Sequence, residues 1–126
     1  MNKISIKPTS AELEILQILW KHQPCTVRFV HDLLEDKKDV GYTTTLKIMQ
    51  NMSAKNMVRR ELKGRSHVYF ALLKKEETQE LLLDRFLETA FGGSASHLVL
   101  QVLGNHKASK EELEQIKNLI NKLEGE

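Results

Sequence analysis

Apolar residues recur at helical spacing in six segments of the chain, and short alternating runs interrupt this pattern after the third segment. The spacing predicts a first helix over residues 9–21, where Thr9 and Glu12 form a capping-box pattern. A second helix is predicted over residues 27–35, with Thr26 at its cap position. The apolar side chains expected to face inward from these two helices are Leu13, Leu16, Ile18, Leu19, Trp20, Val27, Val30, Leu33 and Leu34.

A third helix is predicted over residues 41–56, and two short strands follow it. Leu46, Met49 and Met52 make one side of this helix apolar, and Asn56 suits the left-handed conformation that ends many helices. The strands are predicted over residues 58–62 and 67–72, with Gly64 in the turn between them. In the second strand the apolar Val68 and Phe70 alternate with His67, Tyr69 and Ala71, as a half-buried sheet requires.

The last third of the chain is predicted to form three more helices, over residues 75–91, 97–103 and 109–123. Ser109 and Glu112 form a second capping-box pattern at the start of the last one. Their apolar side chains are too numerous for a helical arm that stays in water, so they either fold back on the first part or pair with a second copy. We favour pairing, because DNA-binding proteins commonly join across a two-fold axis. The residues expected to make the dimer are Leu82, Phe86, Phe91, Leu98, Leu100, Leu103, Leu113, Ile116 and Ile120.

Charge divides the chain in the same place as the hydrophobic pattern. Residues 1–74 contain 13 basic and 7 acidic side chains, whereas residues 75–126 contain 6 and 10. Residues 41–74 alone contain seven basic side chains against one acidic side chain, Glu61. This asymmetry indicates a first part that faces a polyanion. We therefore predict a DNA-binding domain over residues 1–74 and a dimerisation domain over residues 75–126.

The outward side of the third helix offers hydrogen-bonding groups and a cation, but no carboxylate. Such a face suits the edges of bases in the major groove of DNA. The residues predicted to contact DNA from this helix are Thr43, Thr44, Thr45, Lys47, Gln50 and Asn51. Phosphate contacts are predicted for the cations at the end of the helix and in the hairpin, which are Lys55, Arg59, Arg60, Lys63 and Arg65. The order of helices and hairpin predicts a mainly α fold with a two-stranded β wing, a winged helix-turn-helix followed by a helical arm.

The sequence offers little for other classes of protein. It contains no Gly-rich phosphate loop, no Gly-x-Ser-x-Gly and no paired-histidine metal motif, so we expect neither an enzyme nor a bound cofactor or metal. The single cysteine, Cys25, excludes an internal disulfide and is expected to be a small, partly buried residue. His31 is expected to have a surface or capping role. No apolar run is long enough to cross a membrane, and we expect a cytoplasmic protein.

Four stretches together resemble the penicillinase-repressor and methicillin-repressor family of winged-helix regulators. They are the opening from Thr9 to Trp20, the helix from Thr44 to Asn56, the turn at Gly64 and Arg65 with Val68 and Tyr69 after it, and the acidic C-terminal helices. The resemblance implies a homodimeric repressor whose N-terminal domains bind a palindromic operator in double-stranded DNA and whose C-terminal helices make the dimer.

The chain departs from this family at two functional positions. Antibiotic-responsive members have an Asn-Phe pair, cut by a sensor protease, where this chain has Gln101 and Val102. The copper-responsive relatives end in a cysteine-rich tail that is missing here. Two alternatives to an operator-binding repressor stay open: a winged-helix module that binds another protein, and a repressor that responds to a metal held by His and carboxylate pairs.

Overall fold

The structure, a computed structural model, describes residues 7–105 and 107–125. Its elements follow the order of three helices, a hairpin and three more helices. They are α1 (Ser10–His22), α2 (Val27–Glu35), α3 (Tyr42–Ala54), β1 (Val58–Lys63), β2 (Ser66–Ala71), α4 (Lys75–Phe91), α5 (Ala95–Gly104) and α6 (Lys110–Glu124). The predicted fold class, mainly helical with a two-stranded wing, is confirmed.

The helix ends are fixed by the local signals that the sequence offered. Thr9 and Glu12 form the predicted capping box of α1, and Ser109 and Glu112 form that of α6. In each box the hydroxyl accepts from one backbone N–H while the carboxylate accepts from the other, so two otherwise unpaired donors are satisfied. Thr26 caps α2 in the simpler way, with its hydroxyl accepting from the N–H of Phe29.

The chain divides into two compact units, Met1–Leu82 and Leu83–Glu126. The hydrophobic core lies in the first unit, among α1, α2, α3 and the base of the hairpin. Its buried members are Ile15, Leu16, Leu19, Cys25, Val27, Val30, Leu34, Met49, Met52, Met57, Val58 and Tyr69. Trp20 is half-buried against this core, and its indole N–H donates to the carbonyl of Leu73 at 2.9 Å. This bond ties the end of the hairpin to α1 across 53 residues of sequence.

The hairpin pairs β1 and β2 in antiparallel register, with Val58 opposite Ala71 and Lys63 opposite Ser66. Cys25 extends this sheet by one residue, because its N–H and carbonyl both bond to the backbone of Tyr69, at 3.1 and 2.7 Å. The thiol of Cys25 is buried, as expected, and burial raises its pKa. Tyr69 is the residue of β2 that enters the core, with 1% of its surface exposed, whereas Val68 and Phe70 are only half-buried.

In the second unit, α5 begins at Ser94, whose hydroxyl accepts from the N–H of His97. Phe91 lies between the rings of Phe86 and His97, at centroid distances of 5.6 and 5.3 Å. These contacts connect the last turn of α4 to the first turn of α5. They do not form a closed core, because no residue of α5 or α6 is buried.

Candidate nucleic-acid interface

Helix α3 separates its residues cleanly between core and solvent. Met49 and Met52 are fully buried on one side, so the helix is held by its apolar stripe. The opposite side is exposed, and it contains five of the six residues that the sequence assigned to DNA contact from this helix. Those exposed residues are Thr43, Thr44, Lys47, Gln50 and Asn51.

Thr45 is the exception, and its predicted contact with DNA is wrong. Its side chain is fully buried, because Thr45, Met49 and Met52 follow one another at the spacing of a single helix face. The Thr45 hydroxyl lies 3.0 Å from Nδ1 of His31, which is itself 2% exposed. Thr45 therefore fastens the first turn of α3 to α2 and cannot reach a ligand outside the protein.

His31 is buried and contacts the start of α3, whereas the sequence interpretation expected a surface or capping role. Its Nε2 lies 3.4 Å from a carboxylate oxygen of Glu35, and the edge of the ring meets Tyr42 at a centroid distance of 5.5 Å. Arg28 covers the same Tyr42 ring, with its guanidinium carbon 4.3 Å from the centroid. This cluster holds the start of α3, where Gly41 provides no side-chain cap. The signal was present in the sequence, because His31 falls on the same helical stripe as Val27 and Leu34.

The end of α3 is fixed by two residues. Asn56 adopts a left-handed backbone with φ of 62°, as its residue type predicted. Lys55 forms an ion pair with Glu12, so the end of α3 is joined to the start of α1. Burial raises the pKa of Glu12, but hydrogen bonds from Lys55 and from the N–H of Thr9 outweigh burial, and the pKa falls below its ordinary value of 4.5. Lys55 stays half-exposed, and its contact with phosphate stays a prediction.

The wing carries its cations on exposed positions. Gly64, with φ of 64°, allows the tight turn, and Lys63 and Arg65 beside it are both exposed. Arg59 and Arg60 are also exposed, but Arg59 is paired with Glu61 in the same strand. The structure therefore places α3 and the basic hairpin in one compact unit, and the contacts of these side chains with DNA stay predictions.

None of the residues predicted to make a dimer is buried in the single chain. Phe86, Leu100, Leu113 and Ile120 are exposed to between 39% and 68%, and the other five predicted residues are half-buried. Those five are Leu82, Phe91, Leu98, Leu103 and Ile116. Further apolar side chains of the second unit are also exposed, namely Leu83, Val99, Val102, Leu119 and Leu123.

The described residues also bear on two other kinds of site. Across positions 7–105 and 107–125, no group of three His, Cys, Asp or Glu side chains is arranged to hold a metal ion. No helix in that part of the chain combines the length and the apolar character needed to cross a bilayer.

The fold has a counterpart among solved structures, and the sequence has relatives of known class. The structure of a mutant of ZitR from Lactococcus lactis matches with a TM-score of 0.50 at 18% identity, over 99% of this chain and 79% of that one. The methicillin resistance regulatory protein MecI of Staphylococcus aureus is 20% identical over 122 residues, which are 97% of this chain and 99% of MecI. The transcriptional regulator BlaI of Mycobacterium tuberculosis is 31% identical over 85 residues, which are 66% of this chain and 62% of BlaI.

A family model described as penicillinase repressor matches residues 8–122, which is nearly the whole chain. The match includes the helix with the exposed polar side, the basic wing and the apolar C-terminal helices. Members of this family are transcriptional repressors and not enzymes. The chain therefore belongs to the penicillinase repressor family, and it is a winged-helix transcriptional repressor.

Proposed function

We propose that the protein represses transcription as a homodimer that binds a palindromic operator, with α3 of each copy in the major groove. The observation that carries this proposal is the division of α3 into a buried apolar side and an exposed side without a carboxylate. An α-helix fits the width of the major groove, and an exposed polar side that is free of negative charge meets base edges without repelling the phosphates.

The exposed side of α3 has the groups that base reading requires. Gln50 and Asn51 each offer an amide donor and acceptor, a pattern that matches adenine, and the ammonium group of Lys47 suits the two acceptors of guanine. Thr43 and Thr44 lie in the first turn, where hydroxyl groups and free backbone N–H groups bind phosphate oxygens. We assign the reading of base sequence to Gln50, Asn51 and Lys47. We assign positioning on the duplex to Thr43 and Thr44.

The wing and the end of α3 supply affinity that does not depend on sequence. Lys63 and Arg65 flank the turn at Gly64 and project from the tip of the hairpin into solvent. Lys55 stands at the end of α3, where it retains a half-exposed ammonium group beside Glu12. Each cation that meets a phosphate releases counterions, so affinity should fall steeply as salt is added.

The C-terminal helices supply the second half of the proposal. Leaving many apolar side chains in water is unfavourable, and α5 and α6 have no buried residue of their own. A second copy of the chain offers the same surface, and a two-fold axis would bring the two together. We propose that residues 75–126 form the dimer and that residues 1–74 bind DNA, although the first turns of α4, with the buried Thr78, belong to the first compact unit.

A bacterial repressor of this kind acts in the cytoplasm, on the chromosome or a plasmid. We propose that release from DNA does not depend on cleavage between Gln101 and Val102, because these residues replace the pair at which a sensor protease cuts in antibiotic-responsive repressors. An inducing partner would then act through another part of the chain.

Selection of bound duplexes from a random pool tests the proposed function. The expected result is a palindromic consensus, bound by two copies of the chain, with an affinity that falls as the salt concentration rises. Recovery of unrelated duplexes with no consensus would contradict operator binding, and it would favour a winged-helix module that binds another protein.

A further inference from the structure

The two faces of the wing differ in chemistry. In an antiparallel hairpin, residues directly opposite each other project from the same face. The register therefore places Arg60 with Tyr69 and Leu62 with His67 on one face, which we name the inner wing face. The outer wing face carries the alternate pairs, which are Arg59 with Phe70, Glu61 with Val68 and, next to the turn, Lys63 with Ser66.

Behind the exposed Lys63 at the tip, the outer wing face holds its other cation, Arg59, in contacts within the hairpin. The guanidinium of Arg59 forms an ion pair with Glu61, two residues along the same strand. Its carbon also lies 4.1 Å from the centroid of the Phe70 ring, which it covers. A phosphate that approached Arg59 would meet the Glu61 carboxylate as well, and Arg59 would have to leave both partners to bind it.

The inner wing face continues from the core into solvent. Val58 and Tyr69 bury its base among the helices, each with 1% of its surface exposed, so the three helices lie on this side of the hairpin. Beyond the core the same face presents Arg60, Leu62 and His67, and 67% of Leu62 is exposed. Arg60 forms no ion pair with any residue that the structure describes.

We propose that the inner wing face lies along the sugar–phosphate backbone of DNA, with Arg60 on a phosphate and Leu62 against the apolar edge of a deoxyribose. This inference rests on the proposed function and adds which side of the wing meets the duplex. Charge complementarity supports it, because Arg60 is a cation without a competing carboxylate on its own face and lies between the core and the basic tip. Arg59 instead stiffens the hairpin by holding Glu61 and Phe70.

The two neighbouring arginines offer a matched test in the full-length protein. Arg60→Gln and Arg59→Gln remove the same charge while keeping a long side chain over the strand. Binding of one selected duplex is followed by fluorescence anisotropy at several salt concentrations.

In Arg60→Gln the slope of log K against log salt should become shallower by about 0.9 for each phosphate that the variant no longer neutralises. In Arg59→Gln this slope should change by less than half as much. The midpoint of thermal unfolding of Arg59→Gln should be lower than that of the wild type. Leu62→Ala should weaken binding several-fold at an unchanged slope.

The outcomes separate this inference from the proposed function. If the wild-type chain binds the duplex with a steep salt dependence but the slope falls equally in the two arginine variants, the assignment of the inner wing face is wrong and operator binding stands. A larger decrease of the slope in Arg59→Gln would show that the outer wing face contacts the DNA backbone. If the wild-type chain binds no duplex, both the inference and the proposed function fail.

Discussion

His31 and Thr45 join the two helices of the helix-turn-helix through one buried hydrogen bond of 3.0 Å. Both side chains are removed from water, with 2% and 0% of their surfaces exposed. The bond is made in the first turn of α3, directly after the exposed Thr43 and Thr44, so it fixes the part of α3 that we propose contacts phosphate. A buried polar pair of this kind specifies one arrangement of the two helices, because either group would be left unsatisfied in another.

Thr45→Val should therefore destabilise the protein by about 1–3 kcal/mol, because the substitution keeps the shape of the side chain and leaves a buried imidazole nitrogen without its partner. Urea unfolding measures this change. Thr44→Val is the matched control, since Thr44 is exposed, and its effect should stay within about 0.5 kcal/mol. Equal losses of stability in the two variants would contradict the assigned role of Thr45.

The ion pair between Glu12 and Lys55 should contribute to stability at neutral pH and not in acid. The pKa of Glu12 is lowered in the folded protein, so its contribution is present above the unfolded value near 4.5 and is lost as pH falls through the folded value. Glu12→Gln should cost about 0.5–1 kcal/mol at pH 7, because the partner Lys55 is half-exposed and water screens the pair.

Unfolding of the wild type and of Glu12→Gln is measured at several pH values. The difference between their free energies of unfolding should shrink as the pH drops below about 4.5. Glu14→Gln is a control on the same helix, because Glu14 pairs with Lys38 at a more exposed position. A difference that grows in acid would show that the carboxylate is not stabilised in the folded state.

Residues of α3 and the tip of the wing should affect DNA binding differently. Gln50→Ala should relax the preference at one base pair by about 1–3 kcal/mol, because an amide that reads adenine is removed. Lys63→Ala should weaken binding to all duplexes alike, because phosphates carry no sequence information. A panel of duplexes with single base changes distinguishes the two. Uniform weakening in both variants would remove the proposed division of labour.

The apolar surface of the second unit should control the oligomeric state. Leu100→Asp places a charge at a position that is 68% exposed in the single chain and that we propose is buried in the dimer. This variant should sediment as a monomer at concentrations where the wild type is a dimer, because an unpaired buried carboxylate is costly. Gln101→Asp, at the next and already polar position, should remain dimeric. Dimers of Leu100→Asp would show that α5 lies outside the interface.

Much of this fold is determined by signals that are local in the sequence. The capping boxes at Thr9 and Ser109, the left-handed Asn56 and the turn at Gly64 each depend on neighbours within a few residues. Such residues keep the same conformational preference in any tertiary context, and for this reason their roles could be predicted.

The errors arose where the answer depends on what packs against an element. Alternation in β2 separates two sets of side chains, but only the position of α1 shows that Tyr69 is the buried one. Three consecutive threonines look alike in composition, whereas helix geometry turns Thr45 toward Met49 and the core. The ion pair of Arg59 with Glu61 and the bond of His31 with Thr45 depend on side-chain geometry that the sequence does not fix.

The account depends most on the claim that the exposed side of α3 and the wing form one DNA-binding surface. Backbone amide shifts of the full-length protein, followed by NMR as a selected duplex is added, test it most directly. The predicted result is that shift changes concentrate at Thr43, Thr44, Lys47, Gln50 and Asn51 and in residues 60–67. Shift changes confined to residues 83–125, with α3 and the wing unaffected by saturating duplex, would contradict the account.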